Sequence, residues 1–278
     1  VKLATIRLED RTTAVRVEGD SLIDLGLRDV GAVLAAPGAL EAAATADGPR
    51  RDADGALFAS LVPRPGKVVC VGLNYQTHIK EMGRDLPEFP TLFSKFADTL
   101  IGARDEIHRP VETEQFDWEA ELAVVVGRQV RRANEAAAEQ AIAGFTVLND
   151  ITCRDWQFRT REWLQGKNWD ATTPVGPYLV TPDEVGGLRP ALDIRCEVNG
   201  QVMQQDNTGD LLFGPVDLVR YVSTMIRLNP GDIIATGTPG GVGHARTPQV
   251  FLNEGDTVVT EIEGLGRLEN RVVLNGAR

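Results

Sequence analysis

This 278-residue chain has only three histidines and three cysteines, and no apolar run approaches the roughly 18 residues of a membrane-spanning helix. Cys70, Cys153 and Cys196 are odd in number and far apart. They form neither a disulfide framework nor a zinc motif, and they predict buried free thiols in a reducing cytoplasm. Basic residues are also in deficit: 29 Lys and Arg stand against 40 Asp and Glu, for a net charge of −11. Nucleic acid and anionic membranes are therefore not expected as partners, and any anion site needs local basic groups or a metal. The opening residues, Val1 to Arg7, read as a strand with early charges rather than a signal peptide. There is no repeat of solenoid period and no low-complexity tract.

What is there is an ordinary composition, 42% apolar and 25% charged, long enough for one large domain with a small appendage. Leu3 to Leu8 and Thr12 to Val17 read as short strands, and Val30 to Ala44 as an alanine-rich helical stretch broken at Pro37-Gly38. The stiff Pro63-Arg64-Pro65-Gly66 segment predicts a boundary between residues 1–62 and residues 66–278. Beyond it the pattern is mostly β. Lys67 to Gly72 is a buried strand, Asn134 to Ala143 and Val216 to Met225 are helices, and Asp232 to Thr236, Thr257 to Ile262 and Gly266 to Leu274 are closing strands. Asn199-Gly200, between Asp193–Val198 and Gln201–Gln205, is the strongest hairpin signal.

The segment Phe116-Asp117-Trp118-Glu119-Ala120-Glu121-Leu122 leads into an apolar run to Val126. Read as one strand, it puts Asp117, Glu119 and Glu121 on one face, with aligned carboxylates about 7 Å apart. Buried unpaired, they would cost several kcal/mol each. A divalent cation resolves the conflict, and an all-carboxylate set favours Mg²⁺, Mn²⁺ or Ca²⁺ over Zn²⁺. The plainer reading is an edge strand whose charged face meets water.

Four other segments carry chemistry. Gly72 to Met82 places His78 and Glu81 three residues apart, so on a helical turn the carboxylate can orient the imidazole as a general base. Asp150 ends the apolar run Phe145 to Leu148, either as a third oxygen ligand or as a helix N-cap. Lys167 follows Gly166 between aromatics and either reaches a substrate anion or is a solvated loop lysine. Thr236-Gly237-Thr238-Pro239-Gly240-Gly241-Val242-Gly243 is a Gly-rich turn whose amides can approach a carboxylate. It is not a P-loop, because His244 stands where Gly-Lys-Ser/Thr would end it.

Together these segments resemble the fumarylacetoacetate hydrolase family over about residues 66 to 275. The motifs, in order, are Gly-x-Asn-Tyr-x-x-His-x-x-Glu, Asp-x-Glu-x-Glu-Leu, Asn-Asp-x-Thr-x-Arg-Asp-x-Gln, Gly-Lys and Thr-Gly-Thr-Pro-x-Gly-Val-Gly. The resemblance implies an α+β, mostly β fold: a mixed β-sandwich roll with a small N-terminal β-rich appendage. It implies a cytoplasmic homodimer that binds Mg²⁺ or Mn²⁺, with Ca²⁺ an occupant in a crystal, and acts on a small 2-oxo acid. By position, Glu119, Glu121 and Asp150 match the family's metal carboxylates. His78 and Glu81 match a water-activating dyad on a segment, residues 78 to 90, that acts as a lid. Lys167 matches the lysine that stabilises a developing enolate. Gln157, Gly237 and Thr238 match substrate-holding positions, and Arg154 and Lys95 match the pocket wall. Asp117 stays outside the metal set.

The implied activity is hydrolysis of a C–C bond in an acylpyruvate of the fumarylpyruvate type, in aromatic-compound catabolism, through a metal-held pyruvate enolate. The alternative is an oxaloacetate decarboxylase or tautomerase, or a 2-hydroxy-dienedioate isomerase, using the same enolate site. One departure stands out: Leu73 occupies a position where some members carry Arg, which leaves the distal end of the substrate unassigned. Two weaker readings are a non-catalytic acid-binding protein and a zinc hydrolase built from His78, His108 and His244.

Overall fold

The computed structural model describes residues 1–275 except Met82 and Arg84, and of Glu81 the backbone alone. It is mostly β. The largest sheet is built around Ala120–Val126, which pairs antiparallel with Ile142–Asn149 on one side and with Ile233–Ala235 on the other. Ile233–Ala235 continues in parallel to Val68–Gly72, which ends the sheet against Thr91–Lys95. In the other direction Ile142–Asn149 pairs with Thr173–Val180. Among the described residues a five-stranded sheet, from Gln201–Asn207 through Asp193–Val198, Thr257–Ile262 and Gly266–Asn275 to Ile107–Pro110, packs across this one.

The central strand shows why the two sheets form one core. Leu122, Val124 and Val126 point into the larger apolar cluster, shared with Ile194, Val258 and Leu268 of the second sheet. Ala123 and Val125 alternate to the opposite face, against Val33, Leu61, Val68 and Val175. A strand buried on both faces reads as continuous apolar sequence. The edge-strand reading of this segment therefore fails: the strand is central and buried throughout. Glu121 has the parity of Ala123 and Val125, so it extends that second face at the strand's beginning.

Residues 1–62 join this sheet directly. Lys2–Arg7 pairs antiparallel with Thr173–Val180, with Lys2 opposite Val180, and Thr12–Glu18, Ser21–Asp24 and Arg50–Asp52 extend the sheet beyond it. The helical stretch splits as expected at Pro37-Gly38 into Val30–Ala35 and Ala39–Ala43. Asn134 caps Glu135–Ala141, its side chain accepting from the Ala137 amide. The hairpin turns at Asn199 and Gly200, both at positive φ, as its dipeptide requires. Cys70, Cys153 and Cys196 are buried and free. No helix among the described residues is long and apolar enough to cross a membrane.

Candidate active site

The acidic segment is two pieces, not one strand. Phe116–Asp117 pairs with Thr152–Cys153 in a separate short ribbon, and regular pairing resumes at Ala120. Between them the Glu119 amide donates to the Asn149 side chain at 2.9 Å instead of to a backbone carbonyl. The break turns Asp117 away from the other two acids. Its carboxylate accepts from the amides of Trp118, Gly243 and His244 and from Arg154 Nε.

Glu119, Glu121 and Asp150 do converge. Asn149 stands opposite Ala120 in the ladder, so the residue after it is brought alongside Glu119, and the Asp150 amide donates to the Glu119 carbonyl at 2.8 Å. The three carboxylates are buried, and one oxygen of each lies within 4.8 Å of the others. Asp150 is not a helix cap: Cys153 holds that position for Arg154–Gln157, and both Asp150 oxygens take lysine ammonium groups.

Three cations surround the acids. Lys167 Nζ bridges Glu119 at 2.8 Å and Asp150 at 2.7 Å, and lies 4.8 Å from the centre of the Phe93 ring. Lys95 Nζ reaches the other Asp150 oxygen at 2.7 Å. Arg154 spans Asp117 at 2.8 Å and Glu119 at 2.6 Å, and donates to Gln157 Oε1 at 3.0 Å. Lys167 is thus a buried residue on a short helix, Leu164–Lys167, not a solvated loop lysine. Gly166 makes this possible. A Cβ there would overlap the Gln157 side chain and stand 2.7 Å from the Cys153 carbonyl, so the lysine helix packs directly on the Arg154 helix.

The charges do not balance. Four carboxylates, Asp117, Glu119, Glu121 and Asp150, face three cations, and Glu121 has no salt bridge among the described residues. Its Oε2 accepts the Gly237 amide at 2.8 Å. Burial, then Asp150 and Glu119, push the Glu121 carboxyl well above the usual range. Burial would also raise Asp150, but Lys167 and Lys95 outweigh it and hold that carboxyl down at about 2. Lys167 loses less to burial than it gains from Asp150 and Glu119, so its ammonium is held more firmly than usual.

An uncompensated carboxylate in a triad of oxygen donors fits a hard divalent cation. Such an ion would neutralise Glu121 and leave one positive charge for an anionic ligand. The donor set does not distinguish Mg²⁺ from Mn²⁺, and no His or Cys joins the triad, as zinc would favour.

A cavity of about 250 Å³ opens on these groups. Its polar lining residues are His78, Glu119, Glu121, Arg154, Gln157, Lys167 and Thr238. Leu73, Phe93, Phe158, Trp163 and Val242 form an apolar wall, and His244 and Ala245 complete it. At ~30 Å³ per water the space holds roughly eight waters, the scale of a small acid. His78 comes from Gln76–Glu81, just after the strand that carries Gly72. The Glu81 side chain lies outside the described residues, as do Met82 and Arg84 of the expected lid. Lys95 approaches the cavity from behind, through Asp150. Gly237 reaches it by its amide on Glu121, and Thr238 accepts from Gln204 Nε2 at 2.8 Å.

Three further residues lie around these groups. Gln204, in the second sheet, accepts the Ala120 amide and donates to Thr238 and Pro239, tying the Gly-rich turn to the acidic strand. Asn149 is held by Thr260 of the same sheet at 2.8 Å and fixes the Glu119 backbone. His244 is the third; of the other two histidines, His78 lines the same cavity, whereas His108 lies in Ile107–Pro110. The described residues do not bring the three together, so the zinc-hydrolase reading has no site.

The model of the fumarylacetoacetate (FAA) hydrolase C-terminal family matches residues 67–273. The chain is 47% identical over 218 residues to the mitochondrial oxaloacetate tautomerase FAHD2A of Homo sapiens, covering 78% of this chain and 69% of that one. Among solved structures, it superposes on the fumarylacetoacetate hydrolase of psychrophilic Exiguobacterium antarcticum with a TM-score of 0.88, at 31% identity over 99% of both chains. It also superposes on the 5-carboxymethyl-2-hydroxymuconate delta-isomerase of Mycobacterium smegmatis, with a TM-score of 0.82, at 32% identity over 100% of both chains. Family members include hydrolases, isomerases and tautomerases. With its buried acid triad, its sheet order and a family match across its core, this chain belongs to the fumarylacetoacetate hydrolase family.

Proposed function

We propose that the protein interconverts the keto and enol forms of a short 2-oxo dicarboxylic acid, with oxaloacetate as the first candidate. The observation that carries this reading is the buried Glu119–Glu121–Asp150 triad, capped by Lys167, opening on a small cavity that also holds His78. The name of the human relative supports the substrate. A divalent ion on the triad would hold the carboxylate and keto oxygens of the acid together and polarise the keto group.

The chain's own residues do the rest. The Lys167 ammonium gives two of its three donors to Glu119 and Asp150, leaving one for an enolate oxygen. Because those acids hold its proton firmly, Lys167 stabilises charge rather than giving up a proton. Proton movement at the neighbouring carbon then falls to His78, an imidazole in the cavity lining that can serve as general acid or base. Trp163 and Phe93, packed edge to face at 5.4 Å, keep water from that side of the cavity.

Hydrolysis of an acylpyruvate is the second reading, favoured by His78 in the cavity wall, where it could activate water. The two are separated by offering enol-oxaloacetate, acetylpyruvate and fumarylpyruvate with Mg²⁺ and following enol decay and pyruvate release. Fast enol decay without pyruvate supports tautomerisation. Equimolar pyruvate and a second acid from an acylpyruvate would replace it with C–C hydrolysis. A homodimer and a reducing compartment, the cytoplasm, complete the proposal. The three free thiols suit the second, and mass in solution tests the first.

A further inference from the structure

The triad lies at the buried floor of the cavity, so the head of a bound 2-oxo acid sits deep and its tail points outward. The cations at the floor are engaged by its own acids. Arg154 spans Asp117, Glu119 and Gln157, and Lys167 spans Glu119 and Asp150. Besides His78, already assigned to proton movement, the lining offers a second imidazole, His244. Phe158, 55% exposed, packs against the His244 ring at a 40° tilt with centroids 5.1 Å apart, which places the pair at the rim.

The backbone and ring of His244 are both fixed. Its amide donates to buried Asp117 at 3.0 Å, two residues from Glu119, so the rim is tied to the floor by one acid. Gln249 Nε2 donates to the His244 carbonyl at 2.9 Å, and that bond orients the Gln249 amide with its NH₂ toward the ring. The same NH₂ lies 3.2 Å from Nδ1. An NH₂ group can only donate, so Nδ1 accepts. The neutral imidazole must then carry its hydrogen on Nε2. Burial and nearby Arg154 hold this imidazole below its ordinary value, while Asp117 opposes them, so the neutral form is the relevant one.

We propose that His244 is the specificity-determining residue of this site, donating its Nε2–H to the distal carboxylate of a 2-oxo dicarboxylate whose head occupies the triad. This rests on the functional reading above and supplies the contact that reading lacks, since Leu73 offers no charge to the distal end. Gln249 and Phe158 are positioning residues: one selects the tautomer and the other fixes the ring plane.

Pyruvate and oxaloacetate share a 2-oxo head and differ by the distal carboxylate, so they test the proposal as a pair. Binding of each to the Mg²⁺-loaded protein is measured by calorimetry for wild type, His244→Leu and His244→Gln. Losing a hydrogen bond to a charged group should weaken oxaloacetate roughly ten- to a hundredfold in His244→Leu. Pyruvate should stay within about twofold, and His244→Gln, which restores an N–H donor, should recover part of the loss. Equal losses for both ligands would make His244 a structural residue, and unchanged oxaloacetate binding would remove it from recognition; either result overturns the proposal. Binding is read without turnover, so a protein that discriminates the two acids through His244 but does not tautomerise oxaloacetate refutes the functional reading and not this one.

Discussion

Arg154 and Asp117 form a buried ion pair at 2.8 Å, and through it the Glu119–Glu121–Asp150 triad is joined to the loop that carries His244. One face of the guanidinium holds Glu119, while Asp117 gathers the Gly243 and His244 amides. The pair therefore sets the distance between floor and rim.

Removing Asp117 should be costly. Asp117→Ala leaves the Arg154 charge half-paired and takes the acceptor from three backbone amides, those of Trp118, Gly243 and His244, a loss of about 3–5 kcal/mol for a broken buried pair. Urea unfolding reads it directly. A change under about 0.5 kcal/mol would show that the pair contributes nothing to the fold.

Gly166→Ala should displace Lys167. The added methyl meets Gln157 and the Cys153 carbonyl, so the lysine helix must shift. Overpacking of this kind costs about 1–3 kcal/mol, and activity should fall further than stability because Lys167 leaves Glu119 and Asp150. Wild-type turnover in a folded Gly166→Ala protein would detach Lys167 from the chemistry.

Divalent cations should raise the melting temperature, and chelation should lower it. The sign of the pH dependence follows from Glu121. Its carboxyl is raised by burial and by its acidic neighbours, so it takes up a proton at a higher pH than an ordinary carboxyl does, and a cation must displace that proton. Apparent cation affinity should therefore rise with pH. Glu121→Gln removes that dependence along with most of the affinity. Cation titrations followed by melting temperature at several pH values check both.

The three thiols should be inert in the native protein. Burial pushes Cys153 up to about 12 and raises Cys70 and Cys196 as well, so little thiolate forms at neutral pH. A thiol reagent should label the folded protein slowly and the urea-unfolded protein rapidly at all three positions. Fast native labelling of any one would place it at an accessible site.

Local signals in this chain are legible where the chemistry is local. Asn199-Gly200 specifies its own turn, and Glu119 and Glu121 announce a conflict that only a buried site would tolerate. Thr173–Val180 is not legible, because Pro174 and Pro177 read as breakers. The structure nevertheless accommodates it between Lys2–Arg7 and Ile142–Asn149, with an irregular register on the latter side. The Asp117 separation is hidden for a related reason: alternation predicts one face, and the interruption at Trp118 and Glu119 comes from Asn149 and Thr152 in distant sequence. In the sequence Gln204 looks like an ordinary polar residue, and His244 suggests only a weak zinc-ligand reading. Their partners, Ala120 and Asp117, lie far away along the chain and meet them only when the sheets pack.

The most direct test of the account is the enol-to-keto rate of oxaloacetate on one preparation, measured as prepared, after chelation and dialysis, and after Mg²⁺ is restored. A fast rate, its loss on chelation and its return with Mg²⁺ are expected. No return is expected in Glu119→Gln or Asp150→Asn proteins that remain folded. A rate that survives chelation, or that survives in either variant, would contradict the account.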